Sequence, residues 1–217
     1  MFALPCVPDT GDWHLPLTAK NQDDDYSKNH NLHAVQSKHA EPRICYYPSN
    51  ERETMNAIDA IKINLDTADM VCGMYLDDLT DEEAMRRPHA GCNHVNWQLG
   101  HLIASDYMMC NGCIPDSLPA LPEGFAEKYS KETAASDNAG DFVPKTELLE
   151  IGRKQREAIK ATLAGLSDEQ LNAASPESFQ AYAPTVAAIF SMLGSHWLMH
   201  AGQWVVVRRE LGRDIVI

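Results

Sequence analysis

The sequence predicts an all-α fold, a four-helix bundle, and three observations carry that reading. Four stretches of chain place apolar residues at alternating steps of three and four, the spacing that lines one face of a helix. No segment of strand period has any substance, and no internal repeat occurs. The connections put Pro, Gly and capping residues where such helices would start and stop. Four long amphipathic helices must bury their stripes against one another, and a bundle does so most economically.

Composition narrows the class further. At 217 residues the chain makes one ordinary domain with some excess. A net charge of −13 argues against nucleic acid or an anionic membrane surface as partner. No run approaches the roughly 18 apolar residues of a membrane helix, and the N-terminus lacks the basic and apolar regions of a secretory signal. Cysteines are scattered at positions 6, 45, 72, 92, 110 and 113, which reads as reduced thiols rather than a disulfide framework. A cytoplasmic protein is expected.

Residues 1–54 are polar and aperiodic, as around Asp23-Asp24-Asp25, and are expected to be disordered or loosely attached. His30, His33 and His39 lie there with no helix or turn to fix them as ligands. Met55 is an alternative start, since the regular pattern begins just after it. Residues 55–217 then form the bundle domain.

The first long helix is expected over residues 56–79, with Ile58, Ile61, Leu65, Ala68, Cys72, Tyr75 and Leu79 as its seam. Thr80 caps a short piece that ends before Pro88. The second long helix opens at Asn93, its expected N-cap, and runs to about Cys110, where Asn111-Gly112 reads as a stop. Cys110 and Cys113 form a C-x-x-C, but no strand precedes it and no second Cys or His pair follows at zinc spacing, so the pair reads as incidental. Residues 113–143 are too long for a plain turn and are expected to cover a site or cross over between the second and third helices, which lets those two run parallel. Pro144 suits a first helical position, and Leu148, Ile151, Gln155, Ile159, Thr162 and Leu166 mark the third helix. Ser167 caps another short piece. The fourth helix spans 185–211 and stops at Gly212.

That fourth helix holds the most informative stretch of the chain. His196 and His200 are four apart and project from one face, with Gln203 a turn further on. Ile189, Leu193, Val207 and Leu211 share that spacing, so the two imidazoles stand where a bundle expects Leu or Val. Burying them is costly unless their nitrogens find partners, and one metal ion satisfies both. Ordinary helix histidines, one packed and one solvated, are the plainer alternative. On the second helix, His101 follows Trp97 by four and His94 by seven, and supplies a third imidazole.

The run from Asn93 through Leu102, with His196-Trp197-Leu198-Met199-His200-Ala201-Gly202-Gln203 and the following Arg208-Arg209, resembles the DinB-like superfamily of metal-binding four-helix bundles. The resemblance covers roughly residues 55–217 and implies that His101, His196 and His200 are the metal ligands. It further implies an up-down-down-up order of helices and a homodimer. Three imidazoles without a fourth protein ligand make an open site suited to activating water or holding a thiolate. Imidazole suits zinc, nickel or iron alike. His94, Trp97, Trp197 and Gln203 are candidates to line the pocket. The characterised relatives imply a metal-dependent transferase acting with a low-molecular-weight thiol such as bacillithiol or mycothiol. A hydrolase is the close variant, and a non-catalytic metal- or ligand-binding stress or interaction protein is the alternative. Arg208 and Arg209 are the candidate cations for a thiol that carries carboxylates.

Overall fold

The computed structural model describes residues 54–214, so the expectation for the N-terminal segment, its histidines included, lies outside the described residues save for residue 54. Those described residues form four long helices: α1 (Ala57–Leu76), α3 (Val95–Cys113), α5 (Lys145–Ala164) and α7 (Val186–Glu210). Short pieces α2 (Asp81–Ala84), α4 (Phe125–Lys128) and α6 (Asp168–Asn172) sit in the connections. No named strand occurs among the described residues, only an isolated bridge between Ala174 and Thr185.

Local chemistry sets most of these boundaries. Asn56 and Asp59 form a capping box at the start of α1, Thr80 and Glu83 one at α2, and Ser167 and Gln170 one at α6. In each, a side-chain oxygen and a backbone N–H that would otherwise lack partners satisfy each other. Thr185 caps α7, and Gly212, with φ of 69°, takes the left-handed conformation just past its end.

Several boundaries differ from the sequence expectation, and α1 ends at Leu76 rather than Leu79. The cap of α3 is His94 rather than Asn93, because its Nδ1 accepts the Trp97 amide at 2.9 Å. The helix also passes through Asn111-Gly112 to Cys113. Instead of stopping the helix, the Asn111 side chain accepts from the Leu118 amide at 3.1 Å and the Ser117 hydroxyl at 3.2 Å, which ties down the chain that follows. Pro144 is the N-cap of α5, one position before the helix proper.

The register of side-chain contacts fixes how the helices run. Asn64 meets Ser191, Cys72 meets Trp197 and Arg208 meets Tyr75, so α1 and α7 are parallel. Gln98 meets Gln203 while Asp106 meets Trp197, so α3 opposes α7. Lys145 reaches the Leu76 and Leu79 carbonyls and Arg156 reaches Asp69, so α5 opposes α1. The principal contacts therefore close a ring in the order α1, α7, α3, α5.

The core is divided. One apolar cluster gathers Leu76, Leu99, Leu102, Ile103, Leu148 and Trp204, and a second gathers Leu65, Ile159, Leu163, Ile189, Phe190 and Leu193. Between them along α1, α3 and α5 lie Asp69, Asp106 and Arg156. Arg156 donates to Asp69 at 2.6 Å and Asp106 at 3.3 Å, and to the Leu65 and Leu193 carbonyls. The Trp197 indole donates to the same Asp106 carboxylate at 2.8 Å, and the guanidinium lies over its ring. Burial pushes the Asp106 carboxyl up to about 6, against the pull of Arg156.

The long connection from α3 to α5 is pinned across the bundle by Phe125, Tyr129 and Phe142, all buried. The Tyr129 ring lies on Gly100, where an added Cβ would fall 2.2–2.4 Å from ring carbons. Its hydroxyl accepts the Val143 amide at 3.0 Å. Gly100→Ala is therefore expected to destabilise the protein by about 1–3 kcal/mol, because overpacking outweighs the gain in helix propensity. Gly73, on α1, has open space around an added Cβ. Gly73→Ala is expected to be neutral or to stabilise by up to about 1 kcal/mol. Urea midpoints of the two variants check this, and a Gly100→Ala midpoint equal to that of Gly73→Ala would refute it.

Candidate metal centre

The antiparallel contact of α3 and α7 brings His101 beside His196 and His200. Ring centroids are 5.4 Å apart for His101–His196, 5.8 Å for His101–His200 and 5.0 Å for His196–His200. One nitrogen from each ring lies within 4.8 Å of the other two, and no carboxylate or thiol joins this cluster among the described residues. A tetrahedral ion at 2.0–2.1 Å from each donor needs nitrogens about 3.3 Å apart, so the rings would have to close in on a bound ion. The donor set fits an ion that favours imidazole and keeps a coordination position open.

Electrostatics prepares the rings for that role. Burial lowers all three, His196 to about 4 and His200 to about 3, with the neighbouring imidazoles adding to the effect in those two. They are neutral at pH 7, so their lone pairs are available without displacing a proton. The rings are half-buried, and Ser195, Met199 and Gly202 beside them on α7 are exposed.

The other sequence candidates fall in different places. The Trp97 ring stacks on His101, with centroids 5.0 Å apart and planes 9° from parallel, and its indole donates to Thr133 of the crossover at 3.1 Å. Gln203 accepts from Gln98 at 3.0 Å. Trp197 points to the Asp106–Arg156 pair and helps wall a different cavity. His94 is fully buried as the cap of α3, its ring edge-on to Phe142. Arg208 is buried and spent on Asp78 and the Tyr75 and Asp214 carbonyls, so it is not a free cation for a substrate carboxylate. Arg209 is exposed. Burial raises the Cys110 thiol to about 11 and raises that of Cys113 as well, which makes both poor nucleophiles.

Sequence reasoning missed Gln98. Its Oε1 lies 2.9 Å from His200 Nδ1 and accepts the Trp204 indole at 2.9 Å. Its Nε2 donates to the Asn93 carbonyl at 2.6 Å and to Gln203. Gln98 lies inside the first histidine motif, directly after Trp97 and three residues before His101, and its residue type carries no signal of its own. Its contact with His200 becomes visible only when α3 and α7 are packed.

A cavity of about 410 Å³ opens on the opposite side of the ring of helices, between α1 and α5. Gly73 and Gly152 face it, and Leu76, Leu148 and Trp197 line it. It does not include the histidine cluster, and the chemistry of the donor set, not cavity size, marks the site.

The same histidines set an acid limit. His94, lowered to about 4, joins His101, His196 and His200 as groups that bind protons more readily once the chain unfolds. Stability of the metal-free protein therefore falls as pH drops below 6.5 and levels only near the folded values. Asp106, raised by burial from 3.8 to about 6, works in the opposite sense, since the folded state keeps its proton in that interval. Four groups outweigh one. The melting temperature is expected to fall by on the order of 10 °C from pH 7 to pH 5. A flat profile in a calorimetric series over that interval would contradict it.

Comparison with known proteins bears on the family and the fold. The family model of the DinB superfamily matches residues 64–204, which include all three histidines. Among solved structures, YfiT from Bacillus subtilis superposes with a TM-score of 0.53 at 15% identity, over 76% of this chain and 95% of YfiT. That protein is described as a probable metal-dependent hydrolase with an unusual four-helix bundle topology. At such identity the likeness establishes the fold. No curated protein matches the chain.

Proposed function

The chain belongs to the DinB superfamily, and on that premise we propose that it is a metal-dependent enzyme with His101, His196 and His200 as the ligands. The observation that carries the proposal is the open donor set, three neutral, half-buried imidazoles from two antiparallel helices with no fourth protein ligand in the cluster. A bound divalent ion, zinc, nickel or iron, supplies Lewis-acid chemistry there. The protein's own residues hold the rings neutral, stack His101 on Trp97 and leave one side of the cluster near solvent.

Hydrolysis is the reaction the surroundings favour. Arg208, one of the two cations expected to receive a carboxylate-bearing thiol, is committed to Asp78, and the YfiT description points the same way. Transfer to or from a low-molecular-weight thiol is the second reading, supported by the thiol-holding capacity of such a site. We also propose a homodimer. Ile63 and Met70 on α1, and Met199 and Val206 on α7, form exposed apolar stripes on adjacent helices. No helix among the described residues is long and apolar enough to cross a membrane; a cytoplasmic location is part of the proposal.

The deciding experiment compares chelated, zinc-, nickel- and iron-loaded protein against ester and amide panels and against electrophiles offered with thiols. Turnover that appears only with metal, in a metal-free protein that stays folded, supports the enzyme. A metal-free protein that melts and a loaded one that turns over nothing would make the ion a structural staple and the protein a binding module.

A further inference from the structure

We infer that Gln98 is a positioning residue, which fixes the tautomer of His200 and thereby decides which of its ring nitrogens can face a metal. The inference rests on the metal-centre reading above but makes a separate statement about the metal-free protein. It starts from the hydrogen bonds of one buried amide. The Trp204 indole can only donate, so the Gln98 atom 2.9 Å from it is the carbonyl oxygen. The Asn93 carbonyl can only accept, so the atom 2.6 Å from it is the amide nitrogen. The two constraints agree, and the orientation of the amide is settled from both ends.

The consequence falls on His200. Its Nδ1 lies 2.9 Å from that same carbonyl oxygen, which has no proton to give. Nδ1 must therefore carry the hydrogen, and Nε2 is left as the only ring nitrogen with a lone pair to offer. Gln98 is itself held fast. Both lone pairs of Oε1 and both protons of Nε2 are used, the last on Gln203 at 3.0 Å, and the residue is 1% exposed. The other two ligands lack any such restraint. His101 is held by stacking on Trp97, and among the described residues neither its ring nor that of His196 makes a hydrogen bond to protein. One ligand is thus preset by hydrogen bonding, and the other two remain free to adjust around an incoming ion. Outer partners of ligating histidines typically govern metal affinity by 10–100-fold.

The test uses the full chain, wild type beside Gln98→Leu and Gln98→Glu, with far-UV circular dichroism confirming that each folds. Long-range ¹H–¹⁵N correlation of the metal-free proteins above pH 7 reads the imidazole tautomers directly. The wild type is expected to show His200 protonated at Nδ1. Gln98→Glu, with its carboxyl protonated on the oxygen that faces the Asn93 carbonyl and its other oxygen still accepting from Nδ1 and from Trp204, is expected to keep that tautomer, and Gln98→Leu to lose it. Zinc affinity by chelator competition is expected to fall 10–100-fold in Gln98→Leu and not to fall in Gln98→Glu. An unchanged His200 tautomer in Gln98→Leu overturns the inference, and so does a lost tautomer with undiminished zinc affinity. Should Gln98→Leu fail to fold, a wild-type His200 protonated at Nε2 overturns it just as well. A wild type that shows the Nδ1 tautomer but binds no metal would overturn the metal centre alone.

Discussion

His196→Ala is expected to remove the proposed stoichiometric metal binding while leaving the helices in place. The proposed site has three candidate ligands and nothing in reserve, since no carboxylate or thiol joins the cluster among the described residues. Losing His196 leaves one imidazole on α3 and one on α7, a pair that cannot hold an ion against buffer. The fold should tolerate the change. The ring is half-buried, alanine favours a helix, and α7 keeps its seam of Ile189, Phe190, Leu193, Trp204 and Val207. Elemental analysis of protein prepared without an oligohistidine tag should find about one equivalent in the wild type and none in the variant, with matching far-UV spectra. Equal metal content in the two proteins would place the ion elsewhere.

The second large effect is structural. Arg156→Leu is expected to cost about 3–5 kcal/mol, the usual consequence of stranding a buried charge. Asp106 would lose the guanidinium while remaining fully buried, and the Leu65 and Leu193 carbonyls would lose their donors. Asp106→Asn in the same background should recover part of that loss, because a neutral amide can still accept from the Trp197 indole. A double-mutant cycle by urea denaturation measures the coupling. Additive single effects would show that the pair contributes no coupling energy.

The bundle was legible because its elements are locally consistent. The seam of α1 from Ile61 to Tyr75 is buried where the spacing puts it, and the capping side chains at Thr80 and Ser167 act as their residue types suggest. His196 and His200 were visible as a pair because spacing of four needs no knowledge of the rest of the fold. What stayed hidden depends on contacts between distant segments. Asp106 could be placed on a helix face, but the partner it meets there, Arg156, is 50 residues away. Arg208 looked like an ordinary cation at a helix end, and only the packing of α1 against α7 commits it to Asp78. Asn111-Gly112 carried a genuine stop signal, and the apolar surroundings of Cys110 and Met109 overrode it.

The ring order of the helices also bears on how the protein comes into being on the ribosome. α7 is synthesised after the other three long helices, yet it is the main neighbour of α1, the earliest of them, and it brings two of the three clustered histidines. Until it emerges, the nascent chain must hold the seam of α1, including Leu65, Ala68 and Cys72, without the surface that covers it. Exposed apolar surface of that kind is prone to wrong contacts until its partner arrives. The three-histidine cluster therefore cannot assemble before α7 has been made and has packed against α3.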